Sequence, residues 1–166
     1  MARHGEALTV ADEQAASGAL KRAPLWDGAV ALLALVGLVD AGYLTTEHLA
    51  GRIGNVPCMV TTDCGGVLTS SYATLPGDIP LAALGALAYF VAFSLATLAA
   101  FGYDSARKLL LPLVLTMFAA SLWLLYVQAF VLEAFCSYCL LSAALSTTMM
   151  ALVLVRRRLS RKHDLS

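Results

Sequence analysis

The chain has 166 residues, 60% of them hydrophobic and only 13% charged, and its formal net charge is zero. A soluble domain carries about 25% charged residues, so the composition argues against a soluble fold, and the even charge balance gives no support to a nucleic-acid partner. The apolar residues fall into four blocks, each long enough to cross a bilayer, which takes about 20 residues.

Residues 1–25 are polar and mixed in charge, and the expectation is a disordered tail rather than a signal peptide. The first block, 26–49, reads as a retained membrane helix because it is long and lacks a small-residue cleavage site. It closes on YLTTEHLAGR, where polarity rises. The loop 50–78 is rich in Gly, Pro, Ser and Thr, carries Cys58 and Cys64, and is too long for a mere connector. Within it, Val67 to Leu75 is expected to form a short interfacial helix. The second block, 79–101, should start its helix at Ile79-Pro80, since Pro suits a first turn. Gly85 offers close helix packing. A short FGYDSARK hairpin leads to the third block, 109–132, with Pro112 expected in its first turns and Trp123 and Tyr126 near an interface. The fourth block, 136–155, opens on FCSYC and is followed by a basic tail, 156–166. Short connections around the third block favour an antiparallel four-helix bundle. The expected fold is therefore all-α and integral to the membrane, with the domain at 26–155 and a long outer loop between helices 1 and 2.

Lys and Arg set the orientation. Ten of the eleven flank the N-terminus, the 102–108 loop and the C-terminus, and only Arg52 lies on the opposite side. Both termini are therefore expected in the cytoplasm. All four cysteines then face outward, toward an oxidising compartment such as the bacterial periplasm or the endoplasmic reticulum lumen.

A Cys-x-x-Cys pair serves metal, haem or redox chemistry. Residue 140 is Leu, so the haem signature Cys-x-x-Cys-His fails. A four-thiolate metal site would need Cys58 and Cys64 as its second pair, at a spacing wider than usual for zinc. Redox chemistry fits better, because Cys136 opens a helix whose positive end favours a thiolate. Phe135 and Tyr138 would keep water away and flank a ring. Taken alone, Cys58 and Cys64 are equally a structural staple. Beside a Cys-x-x-Cys they permit a relay, in which a soluble dithiol reaches the loop pair and a lipid-dissolved acceptor reaches the helix pair. No flavin or nicotinamide fingerprint is present, which leaves a quinone as the membrane-soluble acceptor. A non-catalytic membrane scaffold with structural or metal-binding cysteines is the alternative.

This four-helix, four-cysteine pattern resembles the vitamin K epoxide reductase (VKOR) family over roughly residues 28–155. The run DCGGVLTSSYATLPGDIPLAALGALAYF, with Cys64, Ser70 and Tyr72, is similar to the family's passage from its second loop cysteine into the second helix. YLTTEH is similar to bacterial members, and Cys136–Cys139 stands where the family keeps its active site. DsbB-type quinone-linked enzymes also have four membrane helices, but they carry Cys-x-x-Cys in the first outer loop, whereas here it follows the third helix. The resemblance implies a thiol:quinone oxidoreductase that generates disulfides in a bacterial inner membrane, with Cys58, Cys64, Cys136 and Cys139 catalytic and no metal. Cys139 would face the quinone, of menaquinone, ubiquinone or vitamin K type. Cys136 would exchange with Cys64, and Cys58 would meet the partner. Ser70, Tyr72, Leu81, Phe135, Tyr138 and Ala143 would border the quinone. Leu81 and Ala143 stand where vertebrate members carry Asn and Tyr. The chain shows no fused thioredoxin-like domain, so the implied partner is a separate periplasmic DsbA or thioredoxin-like protein.

Three further residues invite a role. Asp40 is a carboxylate inside an apolar block, a functional hypothesis by default. It either pairs with Tyr126 or Gln128 or lies near the outer interface. His48 is either a proton relay or simply solvated. Glu133 is placed to complement the N-terminus of the fourth helix.

Overall fold

The computed structural model describes the backbone of residues 2–58, 63–75, 77 and 79–164, and the side chains of 25–58, 63–75, 77 and 79–159. Its long helices are α1 (Ala2–Leu49), α3 (Leu81–Ala100), α4 (Asp104–Phe130) and α5 (Ser137–Asp164). Among the described residues, four stretches are long and apolar enough to cross a membrane: Leu25–Leu49, Leu81–Ala100, Asp104–Phe130 and Ser137–Leu159. Leu32, Val39, Leu87, Phe90 and Leu109 face outward from the bundle, as lipid-contacting side chains do. The chain is an integral membrane four-helix bundle, as its hydropathy predicts.

The helices close a ring. α1 packs on α3 and α5, and α4 packs on α3 and α5. The α1–α3 seam is the tightest, because small residues face each other there. Ala34 and Ala41 of α1 are buried with Tyr89, Ala92 and Ala96 of α3. Small side chains let membrane helices approach closely. Gly37 shows the limit of this packing: a Cβ at that position would lie 2.2 Å from Cε1 of Tyr89. The Tyr89 ring therefore rests directly on the α1 backbone. Gly85 meets Ala41 in ordinary contact, its ideal Cβ 3.8 Å from the alanine methyl, in line with the close packing expected of it.

Several local expectations are corrected. α1 is helical from Ala2, where a disordered tail was expected; Ala, Glu, Gln and Arg in 2–24 all favour helix. The interfacial helix expected over Val67 to Leu75 is instead α2 (Cys64–Leu68) followed by turns. Asp63 fixes that start, its carboxylate accepting the Gly66 N–H at 2.8 Å in an N-cap. Thr74–Leu75 (β1) pairs antiparallel with Ile79–Pro80 (β2), so the second membrane helix begins at Leu81 rather than Ile79. Pro80 has no N–H to offer a ladder and sits just outside the helix with ψ 132°. α4 starts at Asp104 rather than Leu109, which places Pro112 about two turns inside it.

At the end of the bundle away from the cysteines, a buried charge cluster ties the helices together. The Asp27 carboxylate on α1 pairs with Arg156 on α5, and its second oxygen lies 3.7 Å from Arg107 Nε on α4. Arg107 also donates to the Ala99 carbonyl at the end of α3 at 3.0 Å. A buried charge persists only when paired, and this clasp satisfies that condition by recruiting all four membrane helices.

Candidate redox site

The loop cysteines are held by a short compact fold. Cys58 and Cys64 form a disulfide with their Cα atoms 5.7 Å apart. Cys64 is the first residue of α2 and is buried, whereas Cys58 is partly exposed. A 3-10 turn, Ile53–Asn55, lies against α2, and Gly65 makes the contact fit. A Cβ on Gly65 would sit 2.6 Å from the Gly54 carbonyl oxygen, so any larger residue would push the disulfide segment outward. From the other side, the Tyr138 hydroxyl donates to the Pro57 carbonyl at 3.1 Å. That bond links the mouth of α5 to the disulfide loop.

The Cys-x-x-Cys pair is set by the α4–α5 turn. Glu133 takes a left-handed φ of 48°, a conformation uncommon outside glycine, and is exposed to solvent. Cys136 follows, fully buried, and its carbonyl accepts the first α5 hydrogen bond from Leu140 N–H at 3.0 Å. Its own N–H donates to Oε1 of Gln128 at 2.9 Å. Gln128 is itself buried on α4, and its Nε2 donates to the Leu124 carbonyl at 3.3 Å. The Cys136 thiol is drawn down to about 7, first by its hydrogen bond with the Cys139 sulfur and further by the Tyr138 and Cys139 backbone N–H groups at the helix start; burial and the Asp40 charge oppose this. Cys136 and Cys139 are both thiols.

All four cysteines share one packed cluster. Cys64 and Cys136 are buried in it with Leu44, Val56, Val67 and Leu68, and Cys58, Cys139 and Tyr138 pack against it. Beside the cluster lies a cavity of about 140 Å³ between the helices and under the outer loop. Its walls are mainly apolar, from Leu44, Val67, Leu81, Leu124, Val127 and Leu132. Cys139 opens onto it, as do Ser70, Tyr72, Leu81 and Tyr138. The Ser70 hydroxyl is committed to the Val67 carbonyl at 2.7 Å. Phe135 is exposed and Ala143 is buried, and neither lines the cavity. Ser142, one residue earlier, does so instead, and its Oγ lies 2.8 Å from the Tyr89 hydroxyl.

Asp40 and His48 both line the cavity, two turns apart on one face of α1. Gln128 lines it too, while Tyr126 faces outward and stacks between Trp123 and Phe130. None of the described residues forms a hydrogen bond or ion pair with the Asp40 side chain. Gln128, named as a possible partner of Asp40, instead accepts the Cys136 N–H, and Ser142 and the Asp27 clasp carry local roles that the sequence pattern did not single out. The one signal for Asp27 was a carboxylate just inside an apolar block. Among the described residues, no group of three or more His, Cys, Asp or Glu is arranged to hold a metal ion.

A sequence profile described as the Vitamin K epoxide reductase family matches residues 29–154. The chain belongs to that family. A comparison with curated proteins gave no match. Family members are oxidoreductases, and the VKOR match covers most of every membrane span and all four cysteines described above. The packed sulfur cluster thus sits in a membrane redox protein.

Proposed function

We propose that this VKOR-family protein is a membrane thiol:quinone oxidoreductase that generates disulfides in exported proteins. The observation that carries the reading is the packing of two cysteine pairs into one cluster, with Cys139 in the wall of an apolar cavity between membrane helices. A Cys58–Cys64 disulfide beside the Cys136 and Cys139 thiols supports thiol–disulfide exchange between the two pairs.

Electrons enter from a thioredoxin-like dithiol partner. Its thiolate attacks Cys58, the more open sulfur of the loop disulfide, and its second thiol resolves the mixed disulfide. The partner leaves oxidised and the loop is left as a dithiol. The Cys64 thiolate then attacks Cys136 of an oxidised Cys136–Cys139 pair, and Cys139 departs as a thiolate. Cys58 attacks Cys64, which restores the loop disulfide and frees Cys136. A lowered Cys136 thiol suits the step, since thiolates are the reacting species and better leaving groups.

The cavity suits a quinone. Its volume is close to that of an engineered core cavity that admits a benzene ring, about 150 Å³. Its walls are mostly apolar, with few polar groups, as ligand sites generally are. A quinone held there supplies an acceptor for two electrons and two protons. Cys139 faces that acceptor, and Cys136 closes the S–S bond as the electron pair leaves. Leu44, Leu81 and Leu132 exclude water. The skewed Lys and Arg distribution supports termini in the cytoplasm and cysteines on the outer side of a bacterial inner membrane.

The test is turnover by purified protein in detergent, with dithiothreitol as donor and ubiquinone or menaquinone as acceptor. Wild type should reduce one or both, and Cys139→Ser should reduce neither. Full turnover in Cys139→Ser would remove the electron exit from this site.

A further inference from the structure

We infer that Asp40 is the acid–base residue of the cavity, taking a proton from the Cys136–Cys139 dithiol and handing it to the acceptor that Cys139 reduces. The inference rests on the quinone reading above and adds to it the path of a proton.

Three observations converge. First, Asp40 lies inside the membrane-spanning stretch Leu25–Leu49 and lines the same cavity as Cys139. An ionisable group at such depth is costly to keep and marks a functional site by default. Second, it has no structural partner among the described residues. The buried carboxylate Asp27 is clasped by Arg156 and Arg107, whereas Asp40 is half-buried. Asp40 has no hydrogen bond or ion pair with any described residue. Third, its neighbours around the cavity cannot take its place. The Tyr89 hydroxyl is engaged with Ser142. Ser121 donates to Met117 or shares a proton with Ser146. The Gln128 carbonyl oxygen is held by Cys136 N–H, and an amide does not exchange protons in this range. His48 stands two turns away toward the loop, with Leu44 between. Asp40 is the cavity's carboxylate, and its charge is felt at Cys136.

The proton count requires such a group. Two S–H bonds break and one S–S bond forms, which releases two electrons and two protons. Both electrons go to the quinone, whose two carbonyl oxygens become hydroxyls. Asp40 accepts one thiol proton as Cys139 becomes a thiolate, then delivers it to the nearer oxygen as the electrons leave. The second thiol proton passes to outer water, from which the second oxygen draws its own. Without Asp40 the first transfer would have to cross an apolar wall unaided.

Two measurements test this. In turnover, Asp40→Asn should lower kcat by about 100-fold or more, the lower end of what general acid–base groups contribute, while Asp40→Glu restores a substantial part. Thermal melting and the Cys58–Cys64 disulfide report whether each variant is folded. The second readout needs no quinone. Infrared difference spectra of wild-type protein, taken between the oxidised and reduced Cys136–Cys139 states, should show a carboxyl proton band that changes with redox state. The band should shift in Asp40→Glu and vanish in Asp40→Asn. A wild-type spectrum with no carboxyl change, or a band unaltered in both variants, overturns the inference whatever the turnover shows. Wild-type turnover retained in folded Asp40→Asn overturns it too, and leaves the quinone reading standing. If wild type reduces no quinone, that reading fails, and the infrared band alone decides whether Asp40 exchanges protons with the dithiol.

Discussion

Gln128→Leu is the sharpest probe of how the turn presents Cys136. The substitution nearly preserves volume but removes the acceptor of the Cys136 N–H bond, 2.9 Å long at a side chain only 2% exposed. An orphaned buried donor costs about 1–3 kcal/mol. The second Gln128 bond, to Leu124 at 3.3 Å, is long and adds little. A loss of about 2 kcal/mol is roughly a 30-fold change in a two-state population. The affected unit is the start of α5, so the expected outcome is local opening of the mouth. Maleimide labelling of Cys136, which is fully buried in the native chain, should accelerate about 10-fold or more, because labelling follows the open population. The chain carrying Cys139→Ser, with its loop disulfide intact, isolates this thiol. Labelling that proceeds at the parent rate, with an unchanged melting point, would refute the claim that Gln128 holds the turn.

Other outcomes follow from the same geometry. Gly37→Ala would bring a methyl to 2.2 Å from the Tyr89 ring, and overpacking of this kind costs about 1–3 kcal/mol; a lower melting point in detergent is expected, and an unchanged one would mean the seam is looser than described. Asp27→Asn leaves Arg156 and Arg107 facing each other. Removing one partner of a buried pair costs about 3–5 kcal/mol, and partial exposure of both arginines reduces this to about 2 kcal/mol, which denaturant titration in detergent should resolve. The Cys139 hydrogen bond and the helix-start N–H groups draw the Cys136 thiol down to about 7, so the thiolate should prevail above that pH and the thiol below it. Oxidation of the reduced pair in a chain carrying Cys58→Ala and Cys64→Ala should therefore slow about tenfold per pH unit below that point. An inflection at the ordinary thiol value of about 8.5 would contradict the hydrogen-bonded mouth.

The bundle was legible because its signal is local. Each membrane helix is a run of apolar residues, and Lys and Arg label the ends. The gathering of the cysteines at one end followed from the same counting. What escaped depends on partners far apart in sequence or on a single step of register. Asp27 meets Arg156 across 129 residues of chain, and its place at the edge of an apolar block does not name that partner. The choice between Ser142 and Ala143 as the cavity residue is one helical step, about 100° of rotation. Val67 to Leu75 was expected as a short interfacial helix, yet the Asp63 cap starts a helix earlier and the β1–β2 pairing draws Thr74 and Leu75 out of it. The third helix was expected from Leu109 because the segment before it, Asp104 to Lys108, looked like loop; that segment forms the first turns of α4. Asp40 was legible as an anomaly, but its lack of a partner among the described residues was visible only once its neighbours were known.

A single-turnover experiment tests the central claim most directly. The chain carrying Cys58→Ala and Cys64→Ala, reduced and stripped of reductant, holds electrons only in Cys136 and Cys139. Mixed anaerobically with a menaquinone or ubiquinone analogue, it should form one hydroquinone per chain, with loss of both thiols and appearance of a Cys136–Cys139 disulfide. Two thiols left intact beside an unreduced quinone, in folded protein, would contradict the account.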